Sequence, residues 1–288
     1  MDEVKIQDSK NIIGKEFLNI EKIISSKNPK LYKKLPKFLI NYLNRILHIK
    51  ELNELLYFNR NKKNFDFVDA IIKKFGVKIN VNGIENITGL TRYIVASNHP
   101  LGGLDGLALM STIGKVNKNI VAPVNDFLMF LPNINNLMAP INKVGKNTQN
   151  VRKLIGVFNS DKSIMYFPAG LCSRKISGKI VDLEWKKTFI TQARKFKRNI
   201  IPVHIDGKNS NFFYNLANLR KFFKIKFNIE MLYLANEMFK QKNKNINITI
   251  GKPIDYRYFD KRYNDYVWAQ KLKYFIYKLE KDNDLIFE

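Results

Sequence analysis

The sequence predicts an α/β fold: a mixed, largely parallel sheet flanked by helices, with an N-terminal helical extension. Three observations carry this. From about residue 66, short apolar runs of strand length alternate with segments of helical periodicity, a pattern that lays helices on both faces of a sheet. No internal repeat and no low-complexity linker interrupts the alternation. Apolar residues make up 45% of the 288-residue chain, enough for a sizeable core. The expected organisation is a helical part over residues 1–65, a candidate for membrane contact, and one α/β domain over residues 66–288.

In chain order, residues 36–58 come first. Leu39, Ile40, Leu43, Ile46 and Leu47 recur near helical spacing, with Lys37, Asn44, Arg45 and Lys50 between them. This is a basic amphipathic helix, continued by a second one near residues 51–58. Its apolar face serves either as a cap on the main domain or as a membrane-interface helix, and the sequence leaves both open. Residues 77–81 form a candidate strand and Asn82-Gly83 a turn. The apolar run at 93–97 is a strand that meets Asn98-His99-Pro100, and 104–113 has helical periodicity. Residues 119–124 read as a strand and 126–131 as helical, followed by a Pro/Asn-rich loop to residue 144. A helix over 148–159 precedes a strand over 163–167 that ends at Pro168-Ala169-Gly170. A helix over 183–197, a strand over 200–205, a helix over 211–223, a strand over 246–251 and a terminal helix over 263–281 complete the alternation.

Charge narrows the partners without naming one. The chain carries 50 Lys+Arg against 25 Asp+Glu, a formal charge of +25. Such an excess attracts polyanions: nucleic acid, an anionic membrane surface or an acidic carrier protein. A compositional bias towards Lys, Asn and Ile accounts for part of it. The chain has no helix-turn-helix, zinc-finger or RNA-recognition signature, so no specific nucleic acid is expected. The single cysteine, Cys172, rules out a disulfide framework and a Cys-based zinc site, and without HExxH or a His/Asp cluster no metal site is expected. Residues 1–10 lack the basic-then-apolar order of a secretory signal, and no run reaches ~18 apolar residues. The expectation is a cytoplasmic protein, free or lying on a membrane.

Sites in open α/β sheets form beyond the C-terminal ends of strands. Two strands here end in unusual polar sequence, 98–106 and 168–174. His99 follows a strand and is flanked by Pro100 and the Gly102-Gly103 pair. An imidazole there is able to take a proton from a weak nucleophile near neutral pH, and Asp105 is near enough in sequence to fix its tautomer if the glycines make a tight reversal. Asp105 is equally placed to cap the following helix. His204, inside an apolar strand, reads as a core histidine. Cys172 reads as a packed residue, because no nucleophile elbow surrounds it. Trp185 and Phe189 have the spacing of core residues.

The segment Ser97-Asn98-His99-Pro100-Leu101-Gly102-Gly103-Leu104-Asp105-Gly106 resembles the first motif of the glycerolipid acyltransferase superfamily, and in particular its hemolysin-like, ornithine- or glycine-lipid branch. Phe167-Pro168-Ala169-Gly170-Leu171-Cys172-Ser173-Arg174 resembles the acceptor-binding motif, and Ile200-Ile201-Pro202-Val203-His204-Ile205-Asp206-Gly207 the fourth motif. The resemblance implies acyl transfer from a thioester, acyl-ACP or acyl-CoA, to a hydroxyl or amine of a lipid acceptor, with no bound cofactor. It gives His99 the role of general base and Asp105 that of its orienting partner. Asn98, Gly102, Gly103, Pro168, Gly170, Ser173 and Arg174 would bind substrate. For Arg174 a plain surface charge is the competing reading. The implied place is the inner face of an anionic membrane, held peripherally. Two departures stand out. Five residues, not the family's four, separate His99 from Asp105, and Ala169 replaces the Glu typical of glycerol-phosphate acyltransferases. They keep a non-catalytic, surface-binding protein on the same fold as the alternative.

Overall fold

A computed structural model describes residues 17–124, 131–140, 147–282 and 284–288. Within them, seven strands form one sheet: β1 (Lys78–Asn82), β2 (Ile94–Ser97), β3 (Ile120–Val124), β4 (Met138–Pro140), β5 (Ser163–Tyr166), β8 (Ile200–Ile205) and β9 (Asn245–Ile250). Their order across the sheet is β1-β9-β8-β2-β5-β3-β4. All neighbours run parallel except β8 and β9, which pair antiparallel with Val203 opposite Ile250. A separate two-stranded hairpin joins β6 (Arg174–Ile176) to β7 (Lys179–Val181). The sheet is therefore mixed and largely parallel.

The helices are α1 (Ile20–Lys27), α2 (Pro29–Tyr32), α3 (Lys37–Ile46), α4 (Ile49–Phe58), α5 (Asn64–Phe75), α6 (Gly103–Gly114), α7 (Asn147–Asn159), α8 (Thr188–Lys195), α9 (Asn211–Phe222), α10 (Leu234–Phe239) and α11 (Asp265–Lys278). They cover both faces of the sheet. Along β2, Val95 packs into one core with Phe67 and Val68 of α5 and Leu104 and Ala108 of α6. Its neighbours Ile94 and Ala96 point the other way, into a core with Trp185, Phe189 of α8, and Trp268 and Leu272 of α11. Alternate residues of one strand thus feed opposite cores, as the two-residue period of a strand requires. β2 and β8 are buried along their whole length, which explains why both read as unbroken apolar runs.

The predicted 36–58 pair is α3 and α4, with His48 at φ 50 making the break between them. Ile40, Ile46, Leu55 and Leu56 are buried, so the apolar face of this pair packs inward. Residue 65, where the sequence ends its helical part, lies inside α5. Leu55, Leu56 and Phe67 share one core with the sheet residues Val95 and Ile201. Gly114 at the end of α6 lets α5 approach closely: a Cβ there would fall 2.3 Å from the Phe65 ring.

The helix predicted over 183–197 begins only at Thr188. Trp185 N–H donates to Gln270 Oε1 and Lys186 N–H to the Pro168 carbonyl, so these amides are engaged outside any helical turn. The helix expected at 126–131 falls, but for Leu131, outside the described residues. At the C-terminal end of α7, the buried Arg198 guanidinium donates to the carbonyls of Phe158 (2.7 Å), Lys162 (2.8 Å) and Ser160. A cation there satisfies end carbonyls and the negative pole of the helix dipole. Among the described residues no helix is long and apolar enough to cross a membrane.

Candidate active site

β2 lies between β8 and β5, and its C-terminal end delivers Asn98 and His99. Asn98 extends the ladder with its side chain. Its Nδ2 donates to the Ile205 carbonyl (2.8 Å) and its Oδ1 accepts from Ile205 N–H (2.7 Å). The Asn98 amide, expected to contact substrate, thus ties the ends of β2 and β8 together.

His99 is fixed on four sides. Its N–H donates to Asp182 Oδ1 at 3.2 Å, and its carbonyl accepts from Ser173 N–H at 2.8 Å. The ring stacks on Phe167 with centroids 4.1 Å apart. Its Nδ1 lies 3.1 Å from Asp105 Oδ2. An ionised carboxylate only accepts, so Nδ1 carries the hydrogen and Nε2 keeps its lone pair.

Asp105 is fully buried and holds the turn as well as the imidazole. Oδ2 also accepts from the N–H groups of Leu101 (2.8 Å) and Gly102 (3.2 Å), and Oδ1 from that of Gly106 (2.8 Å). One side chain thus closes the first turn of α6 and lies against His99. Gly102 sits at φ 87, a backbone conformation that favours glycine, with the end of the Leu234 side chain against it. Gly103 opens α6.

Burial alone would lower the His99 pKa. The charge and hydrogen bond of Asp105, with the charge of Asp182 behind it, override this and hold the imidazole above its ordinary value of 6.5. Asp182 is the residue that sequence reasoning missed. Its carboxylate accepts from Ser173 Oγ (2.6 Å) and Trp185 Nε1 (2.9 Å) as well as from His99 N–H. Burial raises its pKa, against the pull of those hydrogen bonds. No local pattern ties Asp182 to His99 in the sequence.

The second motif follows β5. Pro168 gives its carbonyl to Lys186 N–H (3.1 Å), and Gly170 N–H donates to the Phe167 carbonyl (3.0 Å) in a tight turn. Ala169 is buried in the same apolar cluster as Trp185 and Phe189, where a Glu carboxylate would find no aqueous surround. Ser173 is buried and committed to Asp182. Arg174 is neither a surface charge nor open to solvent: its guanidinium reaches Glu230 Oε1 at 2.8 Å and the Cys172 carbonyl at 2.6 Å. Glu230, itself fully buried, also accepts from Arg220 Nε at 2.9 Å.

Removing that carboxylate leaves two guanidinium groups without their shared anion. Glu230→Ala is expected to cost about 3–5 kcal/mol and to lower the thermal midpoint by roughly 6–20 °C in a calorimetric melt. A midpoint within a degree or two of wild type would show that water replaces the carboxylate.

Burial pushes the Cys172 thiol up to about 11, which leaves it protonated near neutral pH. His204 is buried, edge-on to Tyr277 at 5.7 Å, and burial lowers its pKa: a neutral core histidine. Among the described residues no group of three or more His, Cys, Asp or Glu side chains is placed to hold a metal ion.

The family described as Acyltransferase matches residues 22–276 of this chain. Lyso-glycine lipid O-acyltransferases of Bacteroides thetaiotaomicron and Phocaeicola vulgatus are each 46% identical over 265 residues, covering 91% of this chain and 97% and 95% of those proteins. The crystal structure of the 1-acyl-sn-glycerophosphate (LPA) acyltransferase PlsC from Thermotoga maritima is similar with a TM-score of 0.46 at 15% identity, over 85% of this chain and 97% of that one. On the family match and the extent of its relatives, the chain belongs to the acyltransferase family and is an acyl-transferring enzyme of lipid synthesis.

Proposed function

We propose that the enzyme transfers a fatty acyl group from a thioester, acyl-ACP or acyl-CoA, to the hydroxyl of a lyso-glycine lipid, with His99 as general base and Asp105 as its positioning partner. The observation that carries the reading is the 3.1 Å contact between His99 Nδ1 and the buried Asp105 carboxylate at the end of β2. Nε2 takes the hydroxyl proton as the oxygen attacks the thioester carbonyl carbon. The C–O bond forms, the C–S bond breaks, and the departing thiolate takes the proton back from the imidazolium. No acyl-enzyme is needed, in keeping with the protonated Cys172. The N–H groups of Leu101 and Gly102 face Asp105 and are not available to the carbonyl oxygen. The acceptor class comes from the relatives named lyso-glycine lipid O-acyltransferase, at 46% identity. It agrees with Arg174, whose charge is matched by Glu230 rather than held ready for a phosphate. The lipid acceptor places the working enzyme at a membrane surface, and the thioester donor at its cytoplasmic face.

Purified enzyme supplied with acyl-ACP or acyl-CoA, and offered lyso-glycine lipid and 1-acyl-glycerol 3-phosphate together, tests this by mass spectrometry. The O-acylated glycine lipid should be the main product. Preferential formation of phosphatidic acid would overturn the acceptor assignment, and acylation of an amine would overturn the hydroxyl.

A further inference from the structure

We propose that residues 219–227, together with Phe212, are the surface on which the enzyme docks to an anionic bilayer. The inference rests on the proposed acceptor being carried in a membrane.

α9 buries one face and carries large apolar side chains on the other, among Asn211, Asn215 and Asn218. Phe213, Tyr214 and Ala217 are buried against the protein. Phe212, Leu219 and Phe222 lie exposed on the outside, and the chain then leaves the helix through Phe223, Ile225 and Phe227, also exposed. Phe222, Phe223 and Phe227 are 77%, 61% and 63% exposed. Every residue from 221 to 227 faces solvent. Exposed rings that run from the outer side of a helix into the loop after it form an apolar patch suited to a second apolar phase.

The charge pattern says which phase. Lys221, Lys224 and Lys226 alternate with those rings, and no Asp or Glu occurs between residues 207 and 229. Rings that enter the acyl boundary while ammonium groups meet lipid phosphates describe an interfacial element.

The patch is also joined to the site. Arg220, inside it, pairs with Glu230, and Glu230 pairs with Arg174. Arg174 follows Ser173, whose N–H bonds the His99 carbonyl at 2.8 Å. Across the patch, Phe212 stacks edge-on with Tyr233 at 5.0 Å, next to Leu234, which packs over Gly102. A bilayer held by this surface is held next to the strand ends that carry His99 and Asp105.

The test is flotation of the full chain with phosphatidylcholine vesicles, with and without phosphatidylglycerol. Wild type should float with the anionic vesicles. The triple variant Phe222→Ser, Phe223→Ser, Phe227→Ser should lose at least tenfold in vesicle partitioning while its thermal midpoint stays unchanged. The triple variant Lys221→Gln, Lys224→Gln, Lys226→Gln should lose the preference for anionic over neutral vesicles. Wild type that fails to float, or a Phe variant that floats as wild type does, would overturn the proposal. So would loss of acyl carrier protein binding in the Phe variant with flotation intact, because the patch would then be a protein-docking surface. Flotation needs no turnover, so failure here is distinct from failure of the acyl-transfer reading.

Discussion

Replacing His99 with alanine is expected to lower acyl transfer by roughly 10²- to 10⁴-fold, the range a positioned general base contributes. The fold should survive the change. The two bonds that anchor position 99 to Asp182 and Ser173 are made by its backbone, and alanine keeps them. Asp105 keeps its three backbone donors from Leu101, Gly102 and Gly106. The loss is confined to the stack on Phe167 and the Nδ1 contact. Initial rates by mass spectrometry, beside a thermal melt, separate the two effects. Near-wild-type turnover in a folded His99→Ala enzyme would remove the imidazole from the mechanism.

Asp105→Asn should damage both turnover and stability, for one geometric reason. The carboxylate offers an acceptor oxygen to each side of the turn. An amide has one oxygen, so either orientation sets its NH₂ against a backbone N–H, at Gly106 or at Leu101 and Gly102. An unsatisfied buried donor of this kind costs about 1–3 kcal/mol. The catalytic loss should reach on the order of 10²-fold or more, because the imidazole loses the partner that fixes its tautomer. The pH profile distinguishes orientation from simple damage. His99 acts as a base only when neutral, and its pKa is raised. In wild type kcat/KM therefore falls as pH drops through a value above 6.5. Without the Asp105 charge, burial dominates and the acid limb should move to lower pH. Stability runs in the opposite sense: the contribution of the protonated pair is fully present below 6.5 and lost as pH rises through the folded pKa. An unchanged acid limb in the variant would mean that Asp105 does not govern the titration of His99.

What the sequence disclosed follows the range of each interaction. His99 and Asp105 were legible together because one turn separates them and a glycine pair marks that turn. The strands at 94–97, 163–166 and 200–205 were legible because burial on both faces writes a continuous apolar run. The helical stripe of α5, formed by Phe67, Val68, Ile71, Ile72 and Phe75, lies across the change of pattern near residue 66 and is masked by it. The hairpin β6–β7 has three residues per strand, too few to show a period. Asp182 and Glu230 were illegible in a stronger sense. Each meets its functional partners only through the folded sheet, and each looks in isolation like an ordinary surface acid. In the 219–227 segment, only exposure distinguishes bare rings from core residues.

The pairing of Arg174 with Glu230 separates two roles of positive charge in a strongly basic enzyme. Close to the reacting groups, positive charge is matched: Arg174 by Glu230, and His99 by Asp105. Lys221, Lys224 and Lys226, by contrast, stand exposed and without a neighbouring acid in sequence, on a chain of formal charge +25. Dissolved ions screen exposed charges beyond about 8 Å at physiological ionic strength and act weakly on buried pairs. Salt should slow the enzyme's arrival at its lipid while leaving the bond-making event, once substrates are seated, almost untouched. Ionic strength becomes a dial on encounter alone.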